Sequence, residues 1–135
     1  HHLLNPQAVL HEMIRVCKPD GVVLIADAAI PDDKVDAYNQ MEKLRDPSHT
    51  RALSHSQWEQ LMRQSGLKNV KCGKYKVDME LEAQLSASFP KPGDDVKLRE
   101  LFQNDLETDS LGMDVHLCKG QIHFSYPISI YAGYK

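Results

Sequence analysis

The chain has 135 residues, 41% hydrophobic and 26% charged, enough for one globular domain with its own core. Its formal net charge of -3 offers no electrostatic footprint for nucleic acid, and no run approaches the roughly 18 apolar residues that span a bilayer. The three cysteines, Cys17, Cys72 and Cys118, are scattered and odd in number, which argues against a disulfide framework or a zinc site and for reduced thiols in the cytoplasm.

The chain opens on His1-His2, directly before a helix signal. Asn5 is a good cap, and Pro6 at the first helical position loses no hydrogen bond. Val9, Leu10, Met13, Ile14 and Cys17 then share one helical face. Lys18-Pro19-Asp20-Gly21 stops the helix and turns the chain. The run Val22 to Ala26, ending in Asp27, has no alternation, which predicts a parallel strand buried on both faces. Such a strand needs neighbours on each side. The chain therefore reads as the C-terminal part of something longer. Helix, strand, helix is a piece of a doubly wound α/β sheet, where ligands bind beyond the carboxyl ends of strands. Asp27 and the loop Ala28 to Asp33 mark that end.

Pro31-Asp32-Asp33 opens a second helix, roughly Asp33 to Leu44, with a thin stripe of Val35, Tyr38, Met41 and Leu44. It is polar around most of its circumference and reads as a lid or a surface helix. The loop Arg45 to Arg51 is dense in donors and has no apolar anchor. Ser54-His55-Ser56-Gln57 resembles a capping box, Trp58, Leu61 and Met62 make a helical face, and Gly66 ends it. Leu67 to Val77 reads as a strand. Two short helical patterns follow, Leu81, Leu85 and Phe89 in one, Leu98, Leu101 and Phe102 in the other, broken by Pro90 to Gly93. The end reads as a hairpin, with Val115 to Cys118 and Ile122 to Tyr126 joined at Lys119-Gly120. Pro127 predicts an edge strand or a bulge. The 135 residues form one domain without repeats or linkers.

No glycine-rich dinucleotide loop follows a strand, and no phosphate-binding loop, serine-hydrolase elbow or H-E-x-x-H motif is present. His116 and His123 face each other across the predicted hairpin with Cys118 nearby, which leaves a metal site as one reading.

The stretch His1-His2-Leu3-Leu4-Asn5-Pro6, then Val9 through Asp27, resembles the second half of a class I S-adenosylmethionine-dependent methyltransferase, closest to the ubiquinone/menaquinone-biosynthesis type. The family pattern is a helix L-x-E-x-x-R-V-L-K-P-G-G followed by a strand ending in an acidic residue. Asp20 stands where that pattern has its first glycine. The likeness runs from His1 to about Val77 and implies a fold class: the C-terminal portion of a Rossmann-like α/β sheet, with flanking helices and a closing antiparallel hairpin. It implies transfer of a methyl group to a small-molecule acceptor, with S-adenosylmethionine as cofactor of the parent protein. The glycine-rich loop and the acidic residue that hold the cofactor would lie upstream, so these residues alone are not expected to bind it in the usual way. By the same resemblance His1 and His2 face the cofactor, and His2 acts as a base or orients the acceptor. Asp27 shares the catalytic role and borders the acceptor pocket, which Tyr38, Arg45 and His49 cover. Arg45 grips an anionic acceptor or pairs with Glu42 or Asp46. Two other readings stand beside this one: a non-catalytic α/β binding or assembly module, and a metal protein using the hairpin histidines. On any of them the unpaired sheet edge is a site for a homodimer.

Overall fold

The computed structural model describes residues 1–135. In chain order the elements are α1 (Pro6–Val16), β1 (Val22–Ile30), α2 (Val35–Arg45), β2 (Leu53–Ser54), α3 (His55–Gln64), β3 (Lys68–Glu80), α4 (Leu81–Ser86), α5 (Asp94–Thr108), β4 (His116–Cys118) and β5 (Gln121–Tyr134). The strands form one mixed sheet in the order β2-β1-β5-β3, with β4 paired to β5. The fold is α/β, with helices on both faces of the sheet.

Local chemistry starts α1, α3 and the hairpin turn where the chain predicts. The Asn5 side chain accepts from the Ala8 N–H at 2.9 Å and caps α1. Ser54 and Gln57 form a full capping box at the start of α3, and the Ser54 hydroxyl also donates to Asp32. Ser54→Ala removes the cap and this tie to the β1–α2 loop together. The expected loss is about 1–2 kcal/mol, read as a lower urea midpoint with an unchanged slope. An unmoved midpoint would show that the box contributes nothing. Lys119 and Gly120 both have positive φ, 50° and 80°, as a tight hairpin turn requires.

Three expectations change. β1 is not a parallel strand covered on both faces. It runs antiparallel to β5 from Val22 to Ala28 and meets β2 in parallel only at Ala29 and Ile30. Burial along it alternates, with Val23 buried and Val22, Leu24 and Ala26 exposed, until Ala28 to Ile30 are buried together. The pleat explains this. Val23 and Ala29 pack with Leu10 of α1 and Trp58 and Met62 of α3. Ala28 and Ile30 point to the other face, where α2, α4 and α5 pack only near the carboxyl end of β1.

α2 is likewise a core helix, not a lid. Val35, Tyr38 and Met41 join Leu98 and Phe102 of α5 and Phe124 of β5 in the larger core. Even Glu42 is only 2% exposed. Finally, β5 is central, not an edge. Pro127 pairs with Lys76 of β3 and sits just outside the last pair with β1, Ala28 to Ile128. There its missing N–H removes nothing from the β1 ladder. The edge on that side of β5 is β3, which carries Lys68, Lys71, Lys74 and Lys76 and is exposed from Lys68 to Asp78. No helix is long and apolar enough to cross a membrane.

Candidate functional site at the end of β1

Three separate segments meet where β1 approaches its carboxyl end. Asp27 Oδ1 lies 2.5 Å from His1 Nδ1 and also accepts from the Ala28 N–H at 2.7 Å. The α2–β2 loop wraps the two leading histidines through the backbone. The Thr50 and Arg51 N–H groups both donate to the His1 carbonyl at 3.0 Å, and the Thr50 hydroxyl donates to the His2 carbonyl at 3.1 Å. His2 Nδ1 lies 3.1 Å from the Ser48 carbonyl oxygen. Asp46 holds this loop in shape by accepting from the Ser48 hydroxyl at 2.7 Å and its N–H at 2.8 Å. Those two bonds hold the Asp46 carboxyl below the usual carboxylate range.

The loop delivers His49 inward. Its ring is 5.8 Å from that of His1 and 6.4 Å from that of His2, measured between centroids. His49 is buried, and its Nε2 lies 2.7 Å from Asn39 Oδ1. Burial pulls the imidazole below its ordinary 6.5, against the opposing field of Glu42.

Four of the six residues singled out from the sequence, His1, His2, Asp27 and His49, thus form one cluster. Tyr38 and Arg45 lie behind it. Tyr38 is buried in the larger core, and desolvation pushes its phenol well above 10. Arg45 is committed to Glu42 through two bonds, at 2.9 and 2.7 Å, and also reaches the Ser88 hydroxyl at 3.1 Å. Asn39, which nothing in the residue pattern singles out, is the structural partner that links α2 to His49 and to Ala52. The only sign of it is a polar residue beside Tyr38 on a helix that proves to be buried.

Beside the cluster runs a groove of about 280 Å³ between α1, β1 and α3. His1, Asp27 and Arg51 line its polar end, and Leu10, Leu24 and Trp58 its apolar wall. The groove can be tested against the S-adenosylmethionine that the resemblance implies. Asp27 is the only carboxylate on it, and it is already bonded to His1. None of the chain's glycines lines it, so no bare backbone approaches a ligand there. These residues by themselves do not hold the nucleoside and the amino-acid tail together. At the hairpin, His116 and His123 are cross-strand partners with rings 6.1 Å apart. No group of three His, Cys, Asp or Glu side chains is arranged to hold a metal ion, there or elsewhere.

Comparison with known proteins points the same way as the motif at α1 and β1. Residues 1–72 match the methyltransferase domain family. The uncharacterized methyltransferase YcgJ of Bacillus subtilis (strain 168) is 39% identical over 61 residues, which cover 44% of this chain and 24% of that protein. The crystal structure of YcgJ matches all of this chain and 59% of its own, with a TM-score of 0.86 at 21% identity. A methyltransferase candidate of Bacillus halodurans C-125, BH2331, also gives 0.86, at 22% identity, over 100% of this chain and 60% of its own. The two structures establish the fold, and the chain spans less than two thirds of either. The family match takes in α1, β1, the α2–β2 loop and every residue of the histidine cluster, more than half of the sequence: the chain belongs to the methyltransferase domain family.

Proposed function

We propose that this chain forms the acceptor-facing part of an S-adenosylmethionine-dependent methyltransferase that acts on a small molecule. The observation that carries the reading is the convergence of His1, His2, His49 and Asp27 at the carboxyl end of β1, beside an apolar groove. Methyl transfer asks little of covalent chemistry. It needs the acceptor held in line in a dry pocket, and a group nearby to take or steer a proton. In this reading His2 and Asp27 do the proton work, and His1 with His2 faces the cofactor. Asp27 and His49 hold the acceptor. Tyr38 and Arg45, fixed in the core, shape the wall behind it. The glycine-rich half that grips the nucleoside lies outside these residues, in keeping with the share of the solved relatives that the chain spans. The three free cysteines suit the reducing cytoplasm. The face of β1 with Val22 and Leu24 exposed is covered by that other half, or in the isolated chain by a second copy, which its mass in solution reads directly.

The test is a methyl-transfer assay on the native polypeptide that contains this segment, with methyl-labelled cofactor and a panel of small acceptors. Asp27→Asn and His2→Ala are each expected to lower the rate roughly 10²-fold; an undiminished rate would remove both from the chemistry. Calorimetric titration of the 135-residue chain with S-adenosylhomocysteine is expected to show no saturable binding. Binding at one per chain would mean that the groove rebuilds the cofactor site unaided.

A further inference from the structure

Three hydrogen bonds decide which way round the Asn39 amide sits. Its Nδ2 donates to the Val35 and Ala52 carbonyls at 2.9 and 3.1 Å, and its Oδ1 accepts from the Ala52 N–H at 2.7 Å. Flipping the amide would set donor against donor and acceptor against acceptor at all three. The atom 2.7 Å from His49 Nε2 is therefore an oxygen acceptor. His49 Nε2 must carry the hydrogen, and in the neutral ring Nδ1 is then a bare lone pair. That atom is buried and has no hydrogen-bond partner, in a residue only 3% exposed. A buried polar atom left unsatisfied is rare enough to need a reason.

We propose that His49 Nδ1 is the hydrogen-bond acceptor for the O–H or N–H of the small molecule that binds this site, so that the ligand class is a hydroxyl or N–H compound and not a carboxylate. The ligand's role as a methyl acceptor rests on the function proposed above; the hydrogen placement on His49 does not. A carboxylate has no hydrogen to offer and would set lone pair against lone pair. The charged groups around the ring agree. Glu42 and Arg45 of α2 pair with each other, and His1 engages Asp27 of β1. His2 lies at the third side of the cluster. Burial keeps the ring neutral at neutral pH. The His1 and His2 rings beside His49 are both exposed. Asn39 is the positioning residue. It touches no ligand and acts by fixing which ring nitrogen is bare.

The experiment is a long-range proton–nitrogen spectrum of the histidine rings in the ¹⁵N-labelled chain. At neutral pH His49 is expected to show the neutral, Nε2-protonated pattern. Asn39→Ala is expected to relax this to a mixture of tautomers, a change that a purely structural role for Asn39 would not produce. Phenol is expected to move the Nδ1 resonance saturably, and benzoate at the same concentration to leave it in place. An Nδ1-protonated ring, an imidazolium at neutral pH, or a phenol that acts no differently from benzoate overturns the proposal. The wild-type spectrum is decisive even if the variant does not fold. Loss of methyl transfer in the assay above, with this spectrum intact, would remove the reaction and leave the donor-binding site standing.

Discussion

Arg45→Met is expected to destabilise the chain by about 3–5 kcal/mol. Glu42 is 2% exposed, and Arg45 supplies two of the hydrogen bonds on its carboxylate. Without Arg45 the remaining partner is the Tyr126 hydroxyl at 3.1 Å. A single neutral donor does not offset the cost of burying a carboxylate. Burial by itself disfavours the guanidinium charge, yet the Glu42 carboxylate outweighs it and holds the Arg45 pKa above its ordinary value. Desolvation, with the same carboxylate second, pushes the Tyr126 phenol up as well. Replacing both members, Glu42→Leu with Arg45→Met, is expected to recover most of the loss, since a packed apolar pair removes the stranded charge along with its partner. Denaturant midpoints of the two singles and the double close the cycle. A double variant as unstable as the sum of the singles would show that the pair acts through something other than its charge.

The second large effect is expected at Phe124→Ala, about 3–5 kcal/mol. Phe124 is 1% exposed and belongs to the larger core. Its ring is 4.8 Å from that of Phe102 on α5 and 5.2 Å from that of Tyr126, in an edge-on arrangement. The cavity left would open between the sheet and α5, and neither a strand nor a long helix closes in easily. Since a domain is stable by only about 5–15 kcal/mol, this substitution is expected to leave a detectable unfolded population at physiological temperature, seen as loss of the near-ultraviolet dichroism of the core aromatics. Phe124→Leu, which refills most of the space, is expected to recover at least half of the loss. A Phe124→Ala chain as stable as wild type would mean that the core collapses around the gap.

Elements whose logic is local were legible in the residues. Asn5, the Ser54–Gln57 box and the Lys119-Gly120 turn each act within a few positions of themselves, and each does what its residue types dictate. The alternation of β1 was not legible, because both of its faces are built from small and branched apolar residues. What separates Val23 from Leu24 is the placement of helices, not chemistry along the strand. Glu42 was hidden for a similar reason. On a helical wheel it falls between Val35 and Tyr38 on the apolar side of α2, but a carboxylate reads as solvent-facing until Arg45 and Tyr126, the second from 84 positions away, are seen to meet it. Pro127 misled because a missing N–H matters only on the side where a partner strand stands. At the site, the residue types were visible and their grouping was only partly so. Asp27 and the paired histidines stood out through the resemblance. The Asn39–His49 contact did not, since it joins a helix to a loop ten residues on.

The sheet has two free margins of opposite character. From Val22 to Ala28, β1 has no partner strand on the side away from β5, and Val22 and Leu24 lie bare beside that gap. Along β3 the margin bristles with Lys68, Lys71, Lys74 and Lys76. Charge repulsion guards one margin and nothing guards the other. Growth of an assembly by stacking sheets end to end needs both. Any strand-on-strand association of these 135 residues is therefore expected to use the β1 side and to stop at pairs, with no extension along β3 into fibres.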